Sequence, residues 1–250
     1  MANQKQLPRE FISNYSGLLG NLTKECQSKM LEELARVDLS NVAQARDEII
    51  TIMQAYLGVY TDMAAEMSAT FFDGVRAYQG AKGAYSAVAV SGYSPAQTED
   101  VVRGVMQIIV DNPEARGPLL QKLAQCATHC VKGAAANTTE YNVRKDPAKP
   151  RYARVPKYTP TIYEPWSKER GVTHNPDLAA QGTCPFCMML ASRGFVYYSR
   201  KSAGEEQHWH EGCDCVIVQS YNNAGAQGYS PQACYDKWQE SLERKESEQH

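Results

Sequence analysis

The sequence predicts a mainly α-helical protein with a small α+β module near its C-terminal end. Apolar residues recur at steps of three and four through residues 8–36 and again through 41–78, which predicts two long antiparallel helices in the N-terminal region. Cysteines and histidines cluster between residues 184 and 215, beside a short alternating stretch at 213–218 that is rich in β-branched residues. That second pattern predicts the small module.

The composition is that of a folded chain in water. Hydrophobic residues make up 43% and charged residues 22% of the 250 positions, which are ordinary fractions. A net charge of −2 does not favour a general nucleic-acid binder, which is usually clearly basic. No apolar run is long enough to span a bilayer, and the first residues lack the apolar core of a secretory signal. We therefore expect a soluble protein with no membrane partner and no export signal.

The longest helix is predicted from Asn41, which is a cap signal, to Tyr78. Its apolar positions form a seam close to heptad spacing. A helix of this length extends about 55 Å. Because that is long for a compact protein of this size, we expect the helix to project from the globule or to span an assembly. Packing of the seam inside the chain and contact with neighbouring subunits both stay open.

Two further helices are predicted before residue 140. A Ser-Pro pair at 94–95 starts the first, and an Asn-Pro pair at 112–113 ends it and begins the next, which is expected to end near Ala134. Cys126 and Cys130 lie one turn apart on that second helix, with a histidine between them. Since no further ligand is evident, both cysteines are interpreted as core residues.

Residues 137–160 differ in character from the helices, because basic residues alternate there with prolines, which predicts an extended connector. The chain is accordingly divided into a helical assembly domain at 1–140, a basic connector and loop at 141–182, a metal-binding module at 183–225 and a C-terminal helix at 226–250. The basic residues of the connector are Arg144, Lys145, Lys149, Arg151, Arg154 and Lys157.

The small module is expected to contain two strands, at 195–198 and 213–218, followed by a helix from Pro231 to about residue 245. Trp238 and Leu242 are expected to face inward from this helix. Two strands and a short helix enclose too little apolar surface for an independent core, so a bound metal ion would have to fix them.

The cysteine-rich stretch has the spacing of a structural zinc site. Cys184 and Cys187 form a Cys-x-x-Cys turn, and His210 with Cys213 or Cys215 supplies a second pair, which together make the four ligands that zinc prefers. The alternation of the strand places the last two cysteines on one face and does not choose between them. His208 is a sixth, weaker candidate.

Other uses of these residues stay open. A redox Cys-x-x-Cys enzyme would use the first cysteine pair, and a hydrolase would use a zinc-bound water with Glu211 as its base. A zinc-containing nucleic-acid-binding module would use the basic connector. The sulfur-rich ligand set favours a closed structural site over a catalytic one, so we expect neither catalytic residues nor enzymatic activity.

Several short sequence pieces in the C-terminal half carry a family resemblance. They are Ala153-Arg154-Val155-Pro156, Cys184-Pro185-Phe186-Cys187, Leu190-Ala191-Ser192-Arg193-Gly194 and His210-Glu211-Gly212-Cys213-Asp214-Cys215. In combination they resemble the C-terminal domain of Mu F-like minor capsid proteins of tailed phages, in the version found in phages of Gram-positive, especially actinobacterial, hosts.

The resemblance implies a structural role in head morphogenesis, with a few copies at or inside the capsid near the portal. The implied partners are the portal protein, the major capsid protein or both. The charge of the basic connector, rather than the resemblance, makes packaged DNA a further candidate partner, and an ordinary solvated linker stays open as the alternative. The implied location is the virion, reached through the host cytoplasm during assembly, and the implied cofactor is a structural zinc ion.

Overall fold

The computed structural model describes residues 5–156, 183, 185–198 and 215–247, and helices dominate this part of the chain, as predicted. In chain order the elements are α1 Arg9–Leu34, α2 Val42–Tyr78, α3 Pro95–Val105, α4 Gln107–Asp111, α5 Arg116–Lys145, β1 Arg151–Val155, α6 Pro185–Ala191, β2 Val216–Ser220 and α7 Pro231–Ser247.

The long helix α2 begins where the sequence predicts, because the Asn41 side chain accepts a hydrogen bond from the backbone N–H of Gln44. The expectation that α2 projects from the globule is wrong. Its buried side chains run from Ala45 to Val75, almost its whole length, and they pack against α1 and α5. The physical reason is that α1 and α5 have 26 and 30 residues and are long enough to cover it.

Two different faces of α2 are buried. On the face toward α1, the rings of Tyr15 and Phe71 stack with centroids 4.0 Å apart. On the face toward α5 the residues are small, and the Ser68 hydroxyl donates to the Ala135 carbonyl at 2.8 Å. Because small residues let two helices approach closely, this face contributes to the core although the apolar seam does not include it. Met63, which does belong to the seam, is 49% exposed.

Helix α5 is longer than predicted. It continues past Ala134 to Lys145 and ends before Pro147, whose ring disfavours helical geometry at the preceding Asp146. The prediction of an extended basic connector is therefore wrong over 137–145, which is helical. Over 151–155 the chain is extended as predicted, but it forms strand β1. The boundary placed at residue 140 falls inside α5.

The irregular segment between α2 and α3 is fixed by side chains of α5. The Asn142 side chain accepts from the Val88 N–H at 2.9 Å and donates to the Val88 carbonyl at 2.8 Å. One turn earlier, the Thr138 hydroxyl accepts from the Val90 N–H and donates to the Val90 carbonyl, at 3.0 and 3.1 Å. Two helical side chains thus satisfy the backbone of alternate residues as a neighbouring strand would.

The sheet pairs β2 with β1, antiparallel, in the register Arg151↔Ser220, Ala153↔Val218 and Val155↔Val216. The strand predicted at 195–198 is reduced to one bridge, in which Tyr197 and Tyr152 exchange backbone hydrogen bonds at 2.8 and 3.1 Å. Of the stretch predicted as a second strand, 213–214 lie outside the described residues and the strand itself starts at 216. The partner of β2 is therefore a segment that the sequence analysis assigned to the connector.

The C-terminal elements pack on one another and on the helices. Helix α7 contacts α6, where Cys234 is buried with Met188, and Trp238 packs against this cluster as predicted. Leu242 was expected to face inward, but it is 38% exposed. Strand β2 contacts α2 and α5, and the Gln219 amide donates to the Phe72 carbonyl at 2.9 Å. No helix in the described ranges is long and apolar enough to cross a membrane.

Candidate functional site

Two of the five predicted zinc ligands lie in the described part of the chain. Cys187 is on α6 and is 1% exposed, and Cys215 directly precedes β2 and is fully buried. The other three, Cys184, His210 and Cys213, lie outside the described residues, as does the weaker candidate His208.

Tyrosine hydroxyls hold the C-terminal end of α6, the helix that carries Cys187. The Tyr197 hydroxyl donates to the Leu190 carbonyl at 3.0 Å, and the Tyr229 hydroxyl donates to the Ala191 carbonyl. Burial raises the pKa of Tyr229, and the neighbouring thiols of Cys234 and Cys215 add to the shift. The start of β2 and the end of α6 therefore share a buried environment around Tyr229.

This environment fits a structural metal site in two respects. The two cysteines are buried, and thiolate sulfur is a preferred ligand of zinc. Over the described ranges, however, no group of three or more His, Cys, Asp or Glu side chains is placed so that it could hold a metal ion. The zinc site therefore stays a prediction.

A second group of thiols lies at a cleft that α5 lines in part. The cleft has a volume of about 560 Å³ and is bounded by residues 91–94, α3 and α5. Cys126, His129 and Cys130 line it from α5. The two cysteines are half-buried and pack against the core from its edge, so their interpretation as core residues is confirmed, although both also line the cleft.

The thiols at this cleft have different acidities. A hydrogen bond with Cys130 lowers the pKa of Cys126 and raises that of Cys130. Cys26, on α1, is fully buried nearby, and burial is the main cause that raises its pKa to about 12. Of the three, only Cys126 is arranged to form a thiolate readily. The helical spacing predicts that Cys126 and Cys130 are neighbours, but it does not predict their exposure to a cleft.

A buried ion pair joins three elements near the end of α5. The Asp146 carboxylate has no exposed surface and pairs with Arg76 of α2, with Nε and Oδ2 3.0 Å apart. It also accepts from the Tyr221 hydroxyl at 2.6 Å and from the Ala148 N–H at 2.8 Å. Sequence reasoning did not find Arg76 or Tyr221, since nothing local in the sequence marks residues that are 70 and 75 positions away from Asp146.

The basic residues of the predicted connector divide into two groups. Arg154 is 6% exposed and lies within β1, so it is not available to a partner as the sequence analysis expected. Four others are exposed around the turn from α5 to β1, and Lys157 lies outside the described residues. The exposed four are Arg144, Lys145, Lys149 and Arg151.

Comparison with known proteins defines the class of this chain as a phage protein. The family model described as VG15 protein matches residues 6–160 and 171–241, which is most of the chain, so the chain belongs to the VG15 protein family. No curated protein and no solved structure matches it. The family agrees with the phage origin that the resemblance implies, whereas the narrower Mu F-like minor capsid identity stays a prediction.

Proposed function

We propose that this VG15 protein is a structural minor capsid protein of a tailed phage that acts in head morphogenesis, at or inside the head near the portal. The observation that carries the proposal is the extent of the family match. Its second segment, 171–241, contains the whole cysteine-rich stretch, and the pieces of that stretch resemble Mu F-like minor capsid proteins. The protein is expected in the virion and, during assembly, in the host cytoplasm.

The cysteine-rich stretch serves this role as a structural zinc module. Cys184, Cys187 and His210, with Cys213 or Cys215, would hold the ion, and the ion would supply a cross-link between α6 and the start of β2. The burial of Cys187 and Cys215 supports a closed site over an open catalytic one. A cross-link is useful here because α6 has only seven residues and packs mainly against α7 and β1.

The helical layer would carry the contacts with the portal or the major capsid protein. Large apolar side chains on the surfaces of its helices support this assignment, since assembly contacts are built around such residues. Leu18 of α1, Val59 of α2 and Val110 of α4 are each more than half exposed, at 56%, 58% and 56%.

The test is the composition of purified particles. Mass spectrometry of heads is expected to find a few copies of the chain per particle, and a cryo-EM map is expected to place them near the portal. Heads assembled without the chain are expected to be defective. Particles that lack the chain, together with normal head assembly in its absence, would contradict the proposal.

A further inference from the structure

The exposed turn from α5 to β1 carries an unpaired positive charge. Arg144, Lys145, Lys149 and Arg151, which we call the basic surface, are all exposed, and none of them forms an ion pair within the described ranges. They span eight consecutive positions and lie on the last turn of α5, on the following turn and at the first residue of β1.

Exposed cations on several other helices are arranged differently. Lys29 of α1 pairs with a glutamate one turn away at 2.7 Å, and Arg36, just past the end of α1, does the same at 2.6 Å. Arg103 of α3 and Lys237 of α7 also pair with nearby glutamates, at 3.6 and 2.8 Å. Such neighbours cancel local charge, whereas no carboxylate of the described ranges pairs with the basic surface.

The two acidic residues nearest to the basic surface in sequence are buried and are bonded to other groups. Glu140 is 4% exposed and accepts a hydrogen bond from the Tyr152 hydroxyl, and Asp146 is paired with Arg76. The segments that flank β1 in space, 185–198 and 215–220, contain no aspartate or glutamate. Within the described ranges, the positive charge at this turn is therefore not paired with an exposed carboxylate, although the whole chain has a net charge of −2.

Two of the cations lie over tyrosine rings. The Arg151 guanidinium is 4.7 Å from the ring centroid of Tyr198, which is itself 54% exposed. The Lys145 ammonium is 6.0 Å from the ring centroid of Tyr141. These contacts orient the side chains while leaving their charged groups toward solvent.

We propose that the basic surface binds the phosphate backbone of double-stranded nucleic acid without sequence preference. A row of exposed cations that form no ion pair within the described ranges matches a polyanion with regularly spaced charges. The charges spread over the eight positions 144–151, which suits a continuous backbone better than a single phosphate group. The proposal depends neither on the zinc site nor on a role in the head, so its failure would leave both standing.

The experiment uses the full chain and a fluorescently labelled DNA duplex of mixed sequence, with binding followed by anisotropy. About four phosphate contacts predict an affinity that falls about 100-fold between about 50 and 200 mM salt. The variant R144Q/K145Q/K149Q/R151Q is expected to lose most of the affinity and most of the salt dependence. Each single substitution should reduce the slope of log affinity against log salt by about 0.9.

A matched control removes the same number of charges elsewhere. K24Q/K29Q/R36Q/K122Q changes four exposed cations of the helical layer and is expected to bind the duplex like the parent chain. Urea unfolding of both variants verifies that each is folded before binding is compared. Equal affinity of the two variants would overturn the proposal, and so would tighter binding to polyglutamate than to the duplex, which would point to an acidic protein surface.

Discussion

Asp146 is the residue at which α2, α5 and β2 are joined. Its carboxylate receives the Arg76 guanidinium and the Tyr221 hydroxyl on the same oxygen and a backbone N–H on the other. A buried charge is tolerated only when it is paired and hydrogen-bonded, and each acceptor oxygen here has a donor. The side chain therefore fixes how the end of α5 sits against the end of α2.

Replacing Asp146 with asparagine is expected to lower the free energy of unfolding by about 3–5 kcal/mol, because it leaves the largely buried Arg76 guanidinium without a counter-charge. Urea denaturation measures the change. Tyr221→Phe removes only one hydrogen bond to the carboxylate, so it should lower the free energy of unfolding by about 1.5–3 kcal/mol. As a control, Asp100→Asn changes an exposed carboxylate of α3 and should stay within about 0.5 kcal/mol of the parent. A loss of that small size for Asp146→Asn would contradict the described network.

The thiols are expected to react with an alkylating reagent in a defined order. At about pH 8, Cys126 should be modified first, since its pKa is lowered and it lines the cleft. Cys26 and Cys234 should stay unmodified, since burial raises the pKa of each to about 12. Timed labelling followed by peptide mass spectrometry measures this order.

The matched variant for this experiment is Cys130→Ala. It removes the hydrogen bond that lowers the pKa of Cys126, so labelling of Cys126 should slow and should require a higher pH. Labelling of Cys26 at the same rate as Cys126 in the parent chain would contradict the described burial of Cys26 and the lowered pKa of Cys126.

Some of these residue roles follow from local sequence and others do not. Cys26 lies on the apolar stripe of α1, and the stripe predicts its burial correctly. Leu18 was assigned to the same stripe but is 56% exposed, because a helical pattern does not show where the neighbouring helix ends. The partners of Asp146 come from distant parts of the chain, and no single sequence identifies such pairs.

At the scale of elements, α5 does more than pack against other helices. Asn142 and Thr138 each bond both the N–H and the carbonyl of one residue in the segment at 81–94. Close to them Gly92 has φ of 62°, and an added Cβ there would lie 2.5 Å from the Asn137 amide nitrogen. The helix and the segment thus fit tightly along this line.

Asn142→Ala is expected to release the segment without unfolding the protein. Loss of the side chain leaves the partly buried N–H and carbonyl of Val88 without partners. Each unsatisfied group destabilises the folded segment by about 1–3 kcal/mol. Hydrogen exchange of the Val88 and Val90 amides should accelerate. In the control Thr51→Ala, an exposed hydroxyl that bonds only its own helix is removed, and those amides should exchange as in the parent. Unchanged exchange of the Val88 and Val90 amides in Asn142→Ala would contradict the described hydrogen bonds between α5 and this segment.

Element boundaries with a local chemical signal are predicted well. The Asn41 cap and the Ser-Pro pairs at 94–95 and 230–231 mark the starts of α2, α3 and α7 correctly. Strand β1 was missed because its sequence is basic and short, and its partner β2 is about 60 residues away. Strand pairing depends on such distant contacts, whereas a helix start depends on a few neighbouring residues.

At the scale of the whole molecule, an average such as the net charge does not describe the local charge of the surface. The net charge of −2 does not favour a general nucleic-acid binder, yet the cations at the turn from α5 to β1 form no ion pair within the described ranges. Likewise, the length of α2 suggested that it projects, but α1 and α5 run alongside it and bury it. The expectation for α2 came from treating the chain as uniform, and the arrangement of elements corrects it.

The contact of β2 with α2 and α5 also links the cysteine-bearing C-terminal elements to the helical layer. A metal ion bound by Cys187 and Cys215 would therefore stabilise the packing of α6 next to β1 rather than an isolated module. Removal of zinc by a chelator is expected to lower the thermal stability of the whole chain in one transition. A chelator without effect on the melting temperature would contradict this coupling.

The most direct test of the account is the metal content of the intact protein, measured by native mass spectrometry and by elemental analysis. We expect a single zinc ion bound to each chain, lost in Cys187→Ser and retained in the control Cys126→Ser, whose thiol lines the cleft beside α3. A chain that carries no transition metal when purified without chelators, or that keeps its zinc in Cys187→Ser, would contradict the proposed site.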